Sequence, residues 1–390
     1  MLNRRTMVLG SLFLTQSVPF ANAAEGPGGV TLMPTPNGGI QPQAAVDSRG
    51  VVHLLYYKGD PAAGDLFYAR MQPRETRFSA PIQVNSQPGS AIAMGTIRGG
   101  QIAVGANDRV HVAWNGSNKA EPKGPGANPN PMLFTHLNAA GTAFEPQRNL
   151  ITWAGGLDGG GTLAASRTGD VYVAWHANPK SDGEENRAVY LAHSTDNGQT
   201  FARERRINSV PTGVCGCCAL RAFVDRDGKV YVFYRAATEK IYRDMYLLTS
   251  ADKGATFRSE KVHPWNLNAC PMSSSSMTQV RTGVQAAWET KEQIYFADFR
   301  PDGSRLTPPL SAPSGGNGPR KHPIVVANAN GQTLLAWTEG TGWSRGGSVA
   351  WQVYGPDGPL PTLQGRQPGV PVWGLLTAFA RPDGGFTLLY

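Results

Sequence analysis

The four cysteines of this 390-residue chain fall in two short segments, Cys215-Gly216-Cys217-Cys218 and Cys270-Pro271-Met272. Thiolates gathered this way are soft ligands. With the imidazole of His322 and the thioethers of Met272 and Met277 they would suit copper or zinc. The C-x-C-C spacing differs from the C-x-x-C of common zinc sites, which weighs against zinc. An even cysteine count in an exported chain equally reads as two disulfides, with three pairings open. Both readings stand at the level of sequence.

A second set of residues has the chemistry of a polar ligand site. Arg235 and Arg243, in Phe233-Tyr234-Arg235-Ala236 and Ile241-Tyr242-Arg243-Asp244, flank one loop. With Arg98 or Arg345 they can clamp a carboxylate through bidentate hydrogen bonds. Glycoside hydrolysis needs two carboxyl groups, or a tyrosine nucleophile with an acidic partner. Glu289, Asp158 and His176 are the candidate catalytic groups, His176 as acid or base. Glu339 and Tyr295 are further candidates by location. Trp343, in Trp343-Ser344-Arg345-Gly346-Gly347, offers an aromatic face for stacking on a sugar ring.

What must position these groups is legible in two octets, Ser194-Thr195-Asp196-Asn197-Gly198-Gln199-Thr200-Phe201 and Ser250-Ala251-Asp252-Lys253-Gly254-Ala255-Thr256-Phe257. Each follows an alternating apolar run, and each reads as a hairpin. Ser and Asp side chains accept turn N–H groups, Gly permits positive φ, and Thr-Phe starts the return strand. A longer period surrounds them. A turn of the Asp/Asn-x-x-Gly kind, then an apolar strand ending in Trp or Tyr, recurs about every 50 residues. Its strands cover residues 51–57, 110–114, 171–175, 230–234, 284–288, 334–337 and 386–390. The first six are followed by a second hairpin at the octet position, four of them degenerate, such as Asn138-Ala139-Ala140-Gly141-Thr142-Ala143-Phe144. Two hairpins per repeat make four short antiparallel strands, one propeller blade.

The pattern S-x-D-x-G-x-T-F resembles the Asp-box of sialidases and related β-propellers. The resemblance implies an all-β propeller of four-stranded antiparallel blades and a glycan-type ligand. Sialidases have six blades. Here the last hairpin needs partners, and Gly29-Val30-Thr31-Leu32-Met33 can supply a strand. The expectation is therefore seven blades, the last a composite of both chain ends, with six as the alternative. The family's first-blade Arg-Ile-Pro motif has no counterpart: Gly38-Gly39-Ile40-Gln41-Pro42-Gln43 contains no arginine. No catalytic residue of sialidases is therefore carried over.

In a propeller the octets join strands 3 and 4 on one face, so the loops leading into each strand 1 and out of each strand 2 open on the other. Register places Arg98, Asp158, Cys217, Cys218, Cys270, His322 and Trp373 at the first kind of position. Asn115, His176, Arg235, Glu289 and Thr338 hold the second. Ionisable and thiol groups thus crowd one mouth of the axis, as an active or binding site requires. The loops of Cys215–Cys218 and Cys270 should be neighbours, with His322 one blade further on.

Composition is consistent with this reading. Gly 47 and Pro 30 with 16% charged residues suit a turn-rich all-β chain. Asn3-Arg4-Arg5-Thr6-Met7-Val8-Leu9, an apolar stretch and Ala21-Asn22-Ala23 read as an export signal over residues 1–23, of twin-arginine type, with a propeller over residues 24–390 and a periplasmic or secreted destination. Without that segment the net charge falls from +8 to about +6. The basic residues are scattered, which excludes a nucleic-acid stripe, and no later stretch has membrane-spanning length. Three functions remain: a protein that binds or hydrolyses a glycan or other small ligand, a soft-metal or redox protein, and a protein-interaction scaffold.

Overall fold

The computed structural model describes residues 29–390 apart from residues 127, 128, 181 and 317. The export signal read from residues 1–23 lies outside the described residues. The chain forms a ring of seven blades. Six are four-stranded antiparallel sheets in strict chain order. The first is Ile40–Val46, Val52–Lys58, Asp65–Met71 and Ile82–Gln83.

The seventh departs from the expected pattern. Among the described residues it has three strands, Thr377–Ala380, Phe386–Leu389 and the N-terminal Val30–Met33, and the last pair runs parallel. Direction explains this. Every strand 2 runs toward the mouth, as Phe386–Leu389 does, and Val30–Met33 must also end there to feed the first inner strand at Ile40. The ring is then locked by Thr35, whose N–H donates to the Tyr390 carbonyl at 2.9 Å.

The second strand of each blade is sandwiched between neighbouring sheets, which is why it reads as a continuous apolar run. Val171–Ala177 is buried throughout. Each blade boundary has its own apolar cluster. The closing one packs Val52, Leu54, Tyr56 and Met71 of the first blade on Phe379 and Leu389 of the seventh. The octets fold as their residue types require. Ser194 Oγ donates to Asp196 Oδ1 at 2.7 Å and accepts the Gly198 N–H at 2.9 Å, while Asp196 Oδ1 accepts the Thr200 N–H at 2.9 Å. Ser250, Asp252, Gly254 and Thr256 repeat the set. Asn197, at φ 57°, reaches into the preceding blade, where Nδ2 donates to the Ala106 carbonyl and Oδ1 meets His111 Nε2 at 3.1 Å. Phe201 packs edge-on against Phe134 of that blade, ring centres 4.8 Å apart.

Candidate functional site

The loops leading into successive inner strands bond to one another across the mouth. Ile97 N–H donates to the Cys217 carbonyl at 3.1 Å, Gly159 N–H to the Gly216 carbonyl at 2.7 Å, and Ala219 N–H to the Ser273 carbonyl at 3.1 Å. The contact at Gly159 needs glycine. A Cβ there would lie 2.6 Å from the Gly216 oxygen and 2.8 Å from that of Cys218.

A pocket of about 470 Å³ opens beside this loop junction. Its walls include Gln41, Met272, His322, Trp343, Arg345 and Trp373. Four of these, Gln41 (φ 52°), Met272 (φ 46°), His322 (φ 52°) and Trp373 (φ 61°), sit in the left-handed region although none is glycine. Such residues persist only where surrounding structure holds them, and they collect at functional sites. Met272 and Trp373 lie just before an inner strand, and Gln41 and His322 lie in the first residues of one. At Gln41 and His322 the pairing register shifts, by a bulge between Ile40 and Gln43 and another between Lys321 and Ile324. Gln41 is buried. Its Nε2 donates to the Ala93 carbonyl at 2.9 Å, and its Oε1 has no partner among the described residues.

Trp343 is 58% exposed and meets Trp373 at right angles, ring centres 5.3 Å apart and planes 85° apart. Arg345 and Lys321 bring positive charge to the walls, and among the described residues no aspartate or glutamate lines the pocket. Below it, His322 also borders an axial cavity of about 410 Å³ whose walls carry Gln43, Gln101 and Arg221. Burial pushes the His322 imidazole down to about 3, so the ring is neutral there.

The other candidates divide by location. Arg98 and Asp158 meet at the mouth, with Nη2 3.3 Å from Oδ1, and Thr96 Oγ1 donates to the same carboxylate oxygen at 3.1 Å. Asn115 Nδ2 holds the Asp158 and Gly159 carbonyls at 3.1 and 3.0 Å. His176 is buried, with Nδ1 3.4 Å from Arg187 Nη1; burial and then the Arg187 charge hold it well below its ordinary value. Glu289 is 1% exposed, and burial raises its carboxyl despite the charges of Arg235 and Lys321. Among the described residues, neither of the two cavities at the mouth is lined by Glu289, Asp158 or His176.

The expected arginine clamp is also absent from the pocket wall. Arg235 and Arg243 are 3% and 4% exposed and point beneath the surface. Arg235 donates to the carbonyls of Arg243 at 2.8 Å and Glu289 at 2.5 Å, and its guanidinium lies 4.9 Å from the Trp265 ring centre. Arg243 Nη2 donates to Glu184 Oε1 at 2.5 Å. Glu184 and Arg187, which the sequence reading passed over, come from the loop after strand 2 of the third blade, a position that would have pointed to them.

The cysteines do converge. Cys215 Sγ lies 3.4 Å from both Cys217 Sγ and Cys218 Sγ, and all three are buried. Cys270 is exposed on the next loop and lies outside this group of three. The separations are those of sulfur contacts, well beyond the ~2.05 Å of a disulfide bond, and all four cysteines are free. His322 does not join them. The group whose ligating atoms lie within 4.8 Å of one another is Cys215, Cys217 and Cys218, while His322 Nδ1 meets Ser274 Oγ at 3.3 Å.

Comparison with known protein families and with curated proteins found no match. Solved structures match over most of the chain. A protein of unknown function from Dyadobacter fermentans is 13% identical, with a TM-score of 0.55 over 81% of this chain and 94% of that one. An α-L-arabinanase from Penicillium chrysogenum, complexed with arabinobiose, is 11% identical with a TM-score of 0.51 over 77% and 89%. The NanB sialidase from Streptococcus pneumoniae is 11% identical with a TM-score of 0.51 over 78% and 65%. At this identity the likeness is one of fold: the chain is a seven-bladed propeller similar to those of sialidases and arabinanases.

Proposed function

We propose that the mouth pocket binds an acidic glycan without cleaving it, making the chain an exported carbohydrate-binding propeller. The observation that carries this reading is the right-angled corner of Trp343 and Trp373 in a concave, largely preformed pocket. Sugar rings present C–H faces that stack on such walls, and a few convergent polar groups fix their orientation. Gln41 Oε1 offers a buried acceptor for a sugar hydroxyl, and an unpartnered buried acceptor is costly until a ligand satisfies it. Arg345 and Lys321 favour a carboxylate or sulfate on the sugar. Hydrolysis is not part of the proposal, because cleavage needs a carboxyl or phenol pair across the scissile bond and no acidic residue lines the pocket among the described residues.

A glycan array comparing neutral, uronate-containing and sulfated oligosaccharides tests this. Binding should be confined to acidic glycans. Trp343→Ala should weaken it at least about tenfold, as loss of one stacking face does. Release of fluorophore from glycosides, or binding indifferent to Trp343 and Trp373, would remove this reading.

A further inference from the structure

The cysteine cluster is not used by the pocket, and its composition is specific. Cys215, Cys217 and Cys218 present three sulfurs within 4.8 Å of one another, two of the pairs at 3.4 Å. Cys270, exposed on the entry loop of the neighbouring blade, lies outside that group of three and is two residues from Met272. The thioether side chain of Met272 packs against the three buried cysteines. No imidazole or carboxylate belongs to this group among the described residues.

Three guanidinium groups stand around the cluster, while burial pushes the Cys218 thiol up toward its neutral form. Arg243 lies close enough to act electrostatically on Cys215 and Cys217, Arg187 on Cys215, and Arg235 on Cys218. Arg243 is buried, yet its Nε and Nη1 have no acceptor among the described residues; only Nη2 is engaged, by Glu184. Buried guanidinium donors without acceptors are costly. Metal-bound thiolates would supply them, because charged sulfur ligands take hydrogen bonds from neighbouring N–H groups. Neutral thiols or a disulfide would leave those donors poorly served.

We infer that Cys215, Cys217, Cys218 and Cys270, with Met272, form a binding site for copper(I). Thiolate and thioether donors together select a soft monovalent ion, and a thioether is not among the sulfur, nitrogen and oxygen donors that hold structural zinc. Binding replaces thiol protons with the metal and releases them to solvent, with no change of oxidation state. Cys270 and Met272 form the accessible side: Cys270 is exposed, whereas Cys215, Cys217 and Cys218 are 0–3% exposed. Met272 also lines the Trp343–Trp373 pocket, so the metal would sit directly behind that wall.

The test is titration of the reduced full chain with copper(I), supplied as its acetonitrile complex without oxygen, against a chromophoric copper(I) chelator. Zinc is titrated in parallel. One equivalent should bind with an ultraviolet thiolate-to-copper band and raise the melting temperature. Cys270→Ser, at an exposed position, should lower the affinity about 100-fold with an unchanged far-ultraviolet spectrum. Met272→Leu should cost about 10-fold, and Arg243→Met between about 10- and 100-fold, as supporting groups around metal sites do. Copper(I) lost wholly to the chelator, affinity unaltered by Cys270→Ser, or zinc held more tightly than copper(I) would each overturn the assignment.

Discussion

Glu184 of the third blade and Arg243 of the fourth form an ion pair at 2.5 Å, and the second carboxylate oxygen of Glu184 accepts the Gly216 N–H at 3.2 Å. One side chain thus ties a neighbouring loop both to a buried guanidinium and to the backbone between two cysteines. Glu184→Gln leaves the Arg243 charge buried without its counter-ion. Because Glu184 is 25% exposed, water can partly compensate, and the expected loss is about 2 kcal/mol. The shift in denaturant midpoint at constant slope measures it; an unchanged midpoint would mean the pair contributes nothing net.

Asn197 combines a left-handed backbone with two side-chain bonds into the preceding blade. Replacing it by Gly removes the bonds but keeps the backbone comfortable, whereas Ala removes the bonds and adds strain. Asn197→Ala should therefore be less stable than Asn197→Gly by about 1 kcal/mol. Both should fall below the parent by at least about 1 kcal/mol. Equal stability of the two variants would deny that the turn geometry carries weight.

His111, the partner of Asn197, gives a pH dependence. Burial pushes its imidazole down to about 3 from 6.5, with the Asn197 bond opposing. Its Nδ1 has no acceptor among the described residues, so a second proton there would be unpaired in the core. The folded value lies below the unfolded one. The stabilisation of the neutral ring is therefore complete above about pH 6.5 and is lost as pH falls toward about 3, at up to about 1.4 kcal/mol per unit. His111→Gln should flatten the stability profile between pH 7 and 5, as read by urea unfolding. A profile as steep as the parent's would assign the slope to other groups.

The closing interface should be the first to open. Leu389 is fully buried between the seventh and first blades. Leu389→Ala should cost about 3 kcal/mol. It should also raise hydrogen exchange in Val30–Met33 and Phe386–Leu389 before any other blade. Exchange that rises uniformly around the ring would show instead that the blades open together.

The octets were readable because turn chemistry is local: Ser194, Asp196 and Thr200 bond within their own hairpin, and each does what its type favours. Seven blades and the composite last blade followed from counting apolar strands, yet the parallel sense of Val30–Met33 needs the direction of the closing chain. At the mouth, spacing brought the cysteine loops together and brought His322 and Trp373 to one rim. It did not tell which way a side chain leans, so Arg235 and Arg243 were expected in a ligand clamp and lie beneath it. Nor did it reveal Gln41, because a bulge inserts residues without changing the apolar pattern. A left-handed glutamine has no sequence signature. The right-angled tryptophans come from loops of different blades, and only the closed ring sets their angle.

The hydroxyl of Thr35 and the carbonyl of Tyr390 are 3.1 Å apart in space and 355 positions apart in the chain. That bond imposes a timetable. A chain leaving the ribosome can build its blades in order, each resting on the one before, but Val30–Met33 must wait without its partner until Phe386–Leu389 has been made. Until then the assembly is an open arc with a bare strand edge at each end, the form most prone to pairing with another chain. Loss of Phe386–Leu389 would leave it in that form permanently. The pairing of Val30–Met33 with Phe386–Leu389 is therefore the clasp of the ring, which stays open until the seventh blade has been made.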